Sequence, residues 1–202
     1  YHRKMMTEAV SPLDALPPGV QRVAQVLQAL GHPHGPHMLD DAARTAQQAA
    51  DALGVQLGQI AKSIIFRRKQ DDAAVLVITS GDRRVDEKKV AALVGKIGRA
   101  DAEFVKERTG FSIGGVSPVG HASAPVTLID RELQRFAVVW AAAGHPHGVF
   151  PLHPTDLSEG AASLLAGTER PAILWTIDLD QQGVTSHVGV ERGRKHVEVR
   201  LR

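Results

Sequence analysis

The chain predicts a mixed α/β fold, in which a mixed-strand sheet closes into a partial β-barrel with helices packed outside and an antiparallel β-meander follows at the C-terminal end. Three observations predict it. Segments of helical period alternate with strand-like runs along most of the sequence. Short polar turns join neighbouring strands often enough to make hairpins, which a doubly wound parallel sheet lacks. From Ile173 onward the pattern changes to a strict period of two, the signature of half-buried strands.

The elements follow in order. Pro17 and Pro18 precede Val20, Val23, Val26, Leu27 and Leu30, an apolar set at helical spacing that Gly31 ends. A loop rich in His, Pro and Gly spans Gly31 to His37. Ala46 to Leu53 reads as a second short helix. Thr45 is its N-cap, where a hydroxyl takes an orphan amide of the first turn, and Gly54 is its stop. Ile60 to Arg68 and Ala73 to Thr79 are strand-like, and the charged turn Arg68-Lys-Gln-Asp-Asp72 makes them a hairpin. After Ser80-Gly-Asp-Arg-Arg84, Asp86 caps a helix through Val94, and Asp101 caps another that runs to Arg108 and is closed by Gly110. Pro125 to Ile129 is a strand, Asp130 to Gln134 a short helix or turn, Phe136 to Ala142 a buried strand and Gly148 to Leu152 another; Thr155 caps a helix to about Leu165. In the tail, Ile173, Trp175, Ile177 and Leu179 share one face, as do Val184, Ser186, Val188 and Val190, and then Val197, Val199 and Leu201. Three such strands, turning at Gln181-Gln-Gly183 and Arg192-Gly-Arg194, form a small meander that needs the main domain or another subunit to cover its apolar face. The division expected is an N-terminal extension at 1–16, a main domain at 17–168 and a basic β-rich extension at 169–202.

Composition narrows the function. A chain of 202 residues, 43% hydrophobic, can bury a full core. With no cysteine there are no disulfides, thiolate nucleophiles or Cys-ligated metals, which fits a reducing, cytoplasmic setting. The longest wholly apolar run, Phe136 to Ala143, is far short of a membrane span, and no secretory signal is read at the start, where Met5 and Met6 follow Tyr1. The net charge of +2 is uneven: residues 181–202 carry five Lys/Arg against Glu191 and Glu198, or +3, leaving −1 for the rest. Attraction for a polyanion is therefore local.

Chemistry concentrates in three places. Thr109-Gly-Phe-Ser-Ile-Gly-Gly-Val-Ser-Pro-Val-Gly120 puts four glycines and a proline directly after a helix. Gly114 and Gly115 let a ligand approach bare amides, Pro118 fixes chain direction and Gly120 allows the exit turn, although the Lys-Ser/Thr ending of a phosphate-gripping P-loop is missing. Ser117 is a hydrogen-bonding group rather than a nucleophile, because Pro118 removes the N–H that a nucleophile elbow uses for its oxyanion hole. Second, Lys62 shares a strand face with Ile60, Ile64 and Phe66, an ammonium among apolar neighbours. Such a group either snorkels to water or holds an anion with a lowered pKa. Third, Gly31-His-Pro-His-Gly35 and Gly144-His-Pro-His-Gly148 are the same five residues. Paired histidines invite a zinc reading, but the intervening proline favours turns over a ligand-bearing strand, and a single histidine orienting water asks for less coincidence.

Together, Ile60-Ala-Lys-Ser-Ile-Ile-Phe66, Ser80-Gly-Asp-Arg-Arg-Val85, the glycine-rich loop, Trp140-Ala-Ala-Ala-Gly-His-Pro-His147 and Leu152-His-Pro-Thr-Asp-Leu157 resemble the YbaK family of prolyl-tRNA-synthetase-associated editing domains, in order across roughly residues 20–166. The resemblance implies hydrolysis of the ester joining a wrong amino acid to tRNA; the expected carrier is tRNA(Pro), the expected attack is by water without cofactor or metal, and transient contact with an aminoacyl-tRNA synthetase is expected. By the same resemblance Lys62 matches the essential lysine, Gly114 and Gly115 the Gly-Gly pair at the aminoacyl pocket, Pro118 and Gly120 the rest of that loop, and Gly144 and His147 the turn that closes the pocket. His145 stands where the family would have a small polar residue such as Thr. The tail from about Pro171 lies outside the resemblance, and a homo-oligomer formed through it is one way to cover its strands.

In the chemistry so implied, Lys62 holds the terminal phosphate or ribose and stabilises developing negative charge, amides near Gly114 and Gly115 add donors, and His147 orients water or carbonyl. Ile113 and Val116 sort amino acids by size, a second sieve needed because one methylene is worth only about 1–3 kcal/mol. A non-catalytic module binding tRNA or protein through the same pocket is the rival, and a His-dependent metal hydrolase a third reading.

Overall fold

The computed structural model describes residues 12–157 and the backbone of two further strands at 173–177 and 186–189. Helix α1 (Pro18–Ala29) starts with proline at its first position, where the missing N–H has no partner to lose, and buries Val20, Val23, Ala24 and Leu27 at helical spacing. After the two-residue strand β1 (His37–Met38), α2 (Ala46–Leu53) opens on a full capping box: Gln48 N–H donates to Thr45 Oγ, and Gln48 Oε1 accepts from Thr45 N–H. Gly54 ends it in the left-handed region, φ 65°.

Strands β2 (Ile60–Arg68) and β3 (Ala74–Ser80) form the expected hairpin, paired from Ala61↔Ser80 to Arg67↔Ala74. Helix α3 (Glu87–Val94), strand β4 (Ile97–Arg99) and helix α4 (Ala102–Thr109) follow, with Asp86 and Asp101 as side-chain caps. Then come β5 (Val126–Asp130), β6 (Val139–Ala142), β7 (Gly148–Leu152), β8 (Ile173–Ile177) and β9 (Ser186–Gly189). The sheet runs β1-β7-β6-β2-β3-β5-β8-β9, with β4 also on β2. The β2–β6, β3–β5 and β5–β8 pairs are parallel and the others antiparallel. The mixed sheet is as expected, but the barrel is not: β1 and β9 lie at opposite ends of an open path. Closing it would need β1 to pair with β9, and among the described strands they do not pair; inside the path, β6 and β4 divide one edge of β2 between them.

Two helix-covered faces make the core. Ala61, Ile65, Leu76 and Ile78 pack with α1, α4 and the glycine-rich loop through Val23, Leu27, Phe104 and Phe111. Phe66, Val75, Val77 and Leu128 pack under Val90 and Val94 of α3. A satellite joins Ala49 and Ala50 of α2 to Ile60 and Trp140. All seven residues of β3 are buried, as expected of a central strand.

Two boundaries differ from expectation. The strand predicted from Phe136 starts only at Val139, because the short 3-10 turn Arg131–Arg135 extends into it, Phe136 N–H bonding to Leu133 O, and Val138 is left 43% exposed. Thr155 lies inside a helical turn at 154–157 rather than capping it; His153 is the cap, its Nδ1 accepting from Thr155 N–H. The continuation of that helix to Leu165, the turns of the tail and its third strand lie outside the described residues. Among the described residues no helix is long and apolar enough to cross a membrane.

Candidate active site

The division of β2's edge creates the site. On the edge of β2 away from β3, β6 pairs with Ile60 and Ala61 and β4 with Phe66 to Arg68, so that edge has no described strand opposite residues 62–65. The opening is flanked by the start of α2, the Gly114–Val116 bend and the His145-Pro146 turn, and holds a cavity of about 290 Å³. Lys62, Gly114 and Val116 line it together.

Strand alternation puts Lys62 on the face of Ile60 and Ile64, half-buried, with Nζ donating to Arg83 O at 2.6 Å. Burial pushes its pKa below the usual lysine range; Asp82 opposes this, and Arg84 adds to it. An ammonium has three donors, so two remain beyond the Arg83 bond.

The glycine-rich loop is half arch, half anchor. Residues 112–114 are exposed, and a side chain on Gly114 (φ 93°) would meet nothing within 4 Å. Residues 115–119 are buried. Gly115 is pressed against the turn at His145, whose backbone atoms lie 2.8–2.9 Å from where a Cβ would stand, and its N–H donates to Ser112 O at 3.0 Å. The Gly115 amide is therefore already engaged, and the expectation of a free donor there is corrected. Ser117 and Pro118 sit in the interior, where Ser117 Oγ accepts from Val119 N–H at 3.2 Å. Gly120 packs near Val26 and Arg22, and Ile113 is 60% exposed rather than on the cavity wall.

Gly144 (φ 85°) is wedged against Gly19 of α1, which leaves no room for a side chain. His147 is not on the cavity wall; its ring Nδ1 meets Leu39 O at 2.9 Å and its carbonyl accepts from Leu39 N–H at 2.7 Å, so it ties the turn to the chain after β1. His145 lines the cavity instead. The other His-Pro-His turn is used differently, with His32 Nε2 at 2.8 Å from Pro151 O. Among the described residues no three His, Asp or Glu side chains gather as a metal site.

Sequence reasoning missed Arg44, Thr45 and Trp140 on the wall. Thr45 was visible only as a cap and Trp140 only as part of a motif; Arg44 had no signal, because only the tertiary fold brings α2 to β2. It also missed His121, which holds the loop from behind. The His121 ring packs edge-on to Phe111 at 5.8 Å, and its Nε2 bonds to Ser117 O. Burial drives its pKa down to about 4, against the Ser117 bond, with Arg22 lowering it further. The unfolded chain takes up this proton near pH 6.5, whereas the folded chain refuses it until about pH 4. His121 therefore contributes stability that is complete above pH 6.5 and lost as pH falls toward 4, about 2–3 kcal/mol by pH 4.5. Urea unfolding at pH 7 and 4.5 should show His121→Gln losing less stability than the native chain by about that amount. Equal losses would remove His121 as the acid-sensitive support.

Residues 40–159 match the family model of the aminoacyl-tRNA editing domain. YwhH of Bacillus subtilis, described as uncharacterized, is 40% identical over 116 residues, 57% of this chain and 73% of that protein. A proline--tRNA ligase of Thermoanaerobacter sp. is 29% identical over 94 residues, 45% of this chain but only 16% of the ligase. A crystal structure described as that of a candidate trans-editing enzyme for prolyl tRNA synthetase superposes with TM-score 0.72 at 34% identity, covering 83% of this chain and 99% of the other. The matched stretch contains the whole of α2, the split edge of β2, the glycine-rich loop and the His145 turn, and the chain belongs to the aminoacyl-tRNA editing domain family.

Proposed function

We propose that this protein is an aminoacyl-tRNA deacylase that hydrolyses the ester of a mischarged amino acid, with tRNA(Pro) as its carrier, by attack of a positioned water and without a metal. The observation that carries the reading is the meeting of Lys62, its charge disfavoured by burial, with the unobstructed main chain of Gly114 on one cavity. Water adds to the ester carbonyl, the bond to the ribose oxygen breaks, the amino acid leaves as a carboxylate and the ribose hydroxyl regains a proton. The two uncommitted donors of Lys62 hold the terminal phosphate or the developing oxyanion. The neighbouring ribose hydroxyl assists proton transfer, so the chain need supply geometry more than a strong base. Gly115 and His147 act by position: one seats the loop on the His145 turn, the other fixes that turn to Leu39. Val116 and His145 bound the space for the amino acid side chain.

The test is a panel of tRNA(Pro) charged with alanine, cysteine, serine and proline, assayed in the presence of a chelator. At least one ester of a non-cognate amino acid should be hydrolysed far faster than in buffer, and prolyl-tRNA(Pro) should be spared. If no member of the panel is hydrolysed above the spontaneous rate, the chain is a binding module and the enzyme reading is lost.

A further inference from the structure

The open edge of β2 has a direction. Arg68 N–H donates to Ala73 O at 2.9 Å, so Arg68 and its alternates Phe66, Ile64 and Lys62 turn their main-chain groups toward β3. Ser63 and Ile65 turn theirs the other way, into the gap between β6 and β4. Ser63 lies on the cavity wall, and its Oγ is buried with no hydrogen-bond partner among the described residues. Buried hydroxyls are nearly always paired, so an orphan asks for an explanation. A serine hydroxyl turns about a single bond among three staggered positions, which lets it meet an occupant of the cavity.

The charge of the wall indicates which group that occupant would bring. Lys62 and Arg44 line the cavity, and among the described residues no Asp or Glu does. An aminoacyl ester carries an α-amine, which two cations repel and which must find a neutral acceptor. Of the two side-chain hydroxyls that the described residues bring to the wall, Thr45 Oγ already accepts from Gln48 N–H as the cap of α2. We propose that Ser63 is a substrate-positioning residue whose hydroxyl and outward-facing carbonyl take hydrogen bonds from the α-amine of the aminoacyl group, so that the cavity reads the amine as well as the side chain. This inference rests on the deacylase reading above.

The test compares the full chain with Ser63→Ala and with Ser63→Cys, which keeps the size but has only a weak acceptor. The esters are alanyl- and cysteinyl-tRNA(Pro) and their counterparts without the amine, propionyl- and 3-mercaptopropionyl-tRNA(Pro), each rate being divided by its spontaneous rate. The native chain should favour the amine-bearing ester in kcat/KM by about 10-fold or more, the scale of a hydrogen bond to a charged group. Both variants should bring that ratio to within about twofold by losing rate on the aminoacyl ester alone, with the melting temperature of Ser63→Ala unchanged or raised because the orphan hydroxyl is gone. Unchanged rates and ratio in Ser63→Ala would overturn the assignment, as would an equal loss on both kinds of ester. A native chain that hydrolyses none of the esters would instead sink the deacylase reading, and this inference with it.

Discussion

Lys62→Ala should lower kcat/KM for the deacylated ester by about 10²–10³-fold, the effect of removing one preorganised donor from a site where negative charge develops. The loss should come mostly in kcat measured at single turnover, because the ammonium meets more charge in the tetrahedral intermediate than in the ester. Stability should move little. Burial already disfavours the charge, and what deletion forfeits is the bond to Arg83 O and the attraction of Asp82. These opposing terms leave a net change within about 1 kcal/mol in urea unfolding. Lys62→Arg should not restore the rate, since a planar guanidinium cannot keep the Arg83 bond and also present donors to the cavity in the geometry of an ammonium. Rates within about threefold of the native chain would show that Lys62 is a structural tie to the Ser80–Arg84 turn and would remove the central group of the mechanism.

Local rules made most of the fold legible. Thr45, Asp86 and Asp101 were readable as caps because the chemistry of an N-cap is contained in its own first turn, and each does accept from amides there. The β2–β3 hairpin was readable because its charged turn interrupts two apolar runs. Strand alternation also set Lys62 apart from Ala61 and Ile65 correctly. What stayed hidden depends on pairing between distant segments. Whether the sheet closes depends on whether β1 and β9 meet, and the gap on β2 depends on where β6 and β4 stop; neither has a sequence signal. The cavity is a consequence of the same gap, so the contributions of Ser63 and Arg44 to its wall were equally hidden. Phe136 misled because an apolar residue after a short turn looks like a strand start, whereas it caps a 3-10 turn. The glycine-rich loop was recognised as a close approach of backbone, but not which glycine approaches what: Gly114 faces open space and Gly115 faces another main chain.

That last distinction gives the second large effect. In Gly115→Ala the new Cβ would stand 2.8–2.9 Å from the N, Cα and C atoms of His145, closer than real Cβ atoms approach anything. The obstacle is backbone, and it is held from several sides. Gly148 N–H bonds to His145 O at 2.9 Å, Ala43 N–H to Pro146 O at 2.8 Å and Leu39 N–H to His147 O at 2.7 Å. Behind the turn, Gly144 abuts Gly19 of α1 with no slack. The loop must therefore move instead, carrying Gly114 and Val116 away from Lys62. A misplacement on the order of 1 Å at a reacting centre is enough for about 10²-fold in rate, and overpacking of this kind costs about 1–3 kcal/mol of stability. Gly115→Ala should accordingly remain folded in circular dichroism, unfold at lower urea and lose about 10²-fold in kcat/KM. Ile113→Ala, two residues away on the exposed arch, should stay within about twofold, because its 60% exposed side chain bounds nothing in the cavity. Full activity in Gly115→Ala would mean that the contact between the loop and the His145 turn does not set the geometry of the site, and the positioning role given to that glycine would fall.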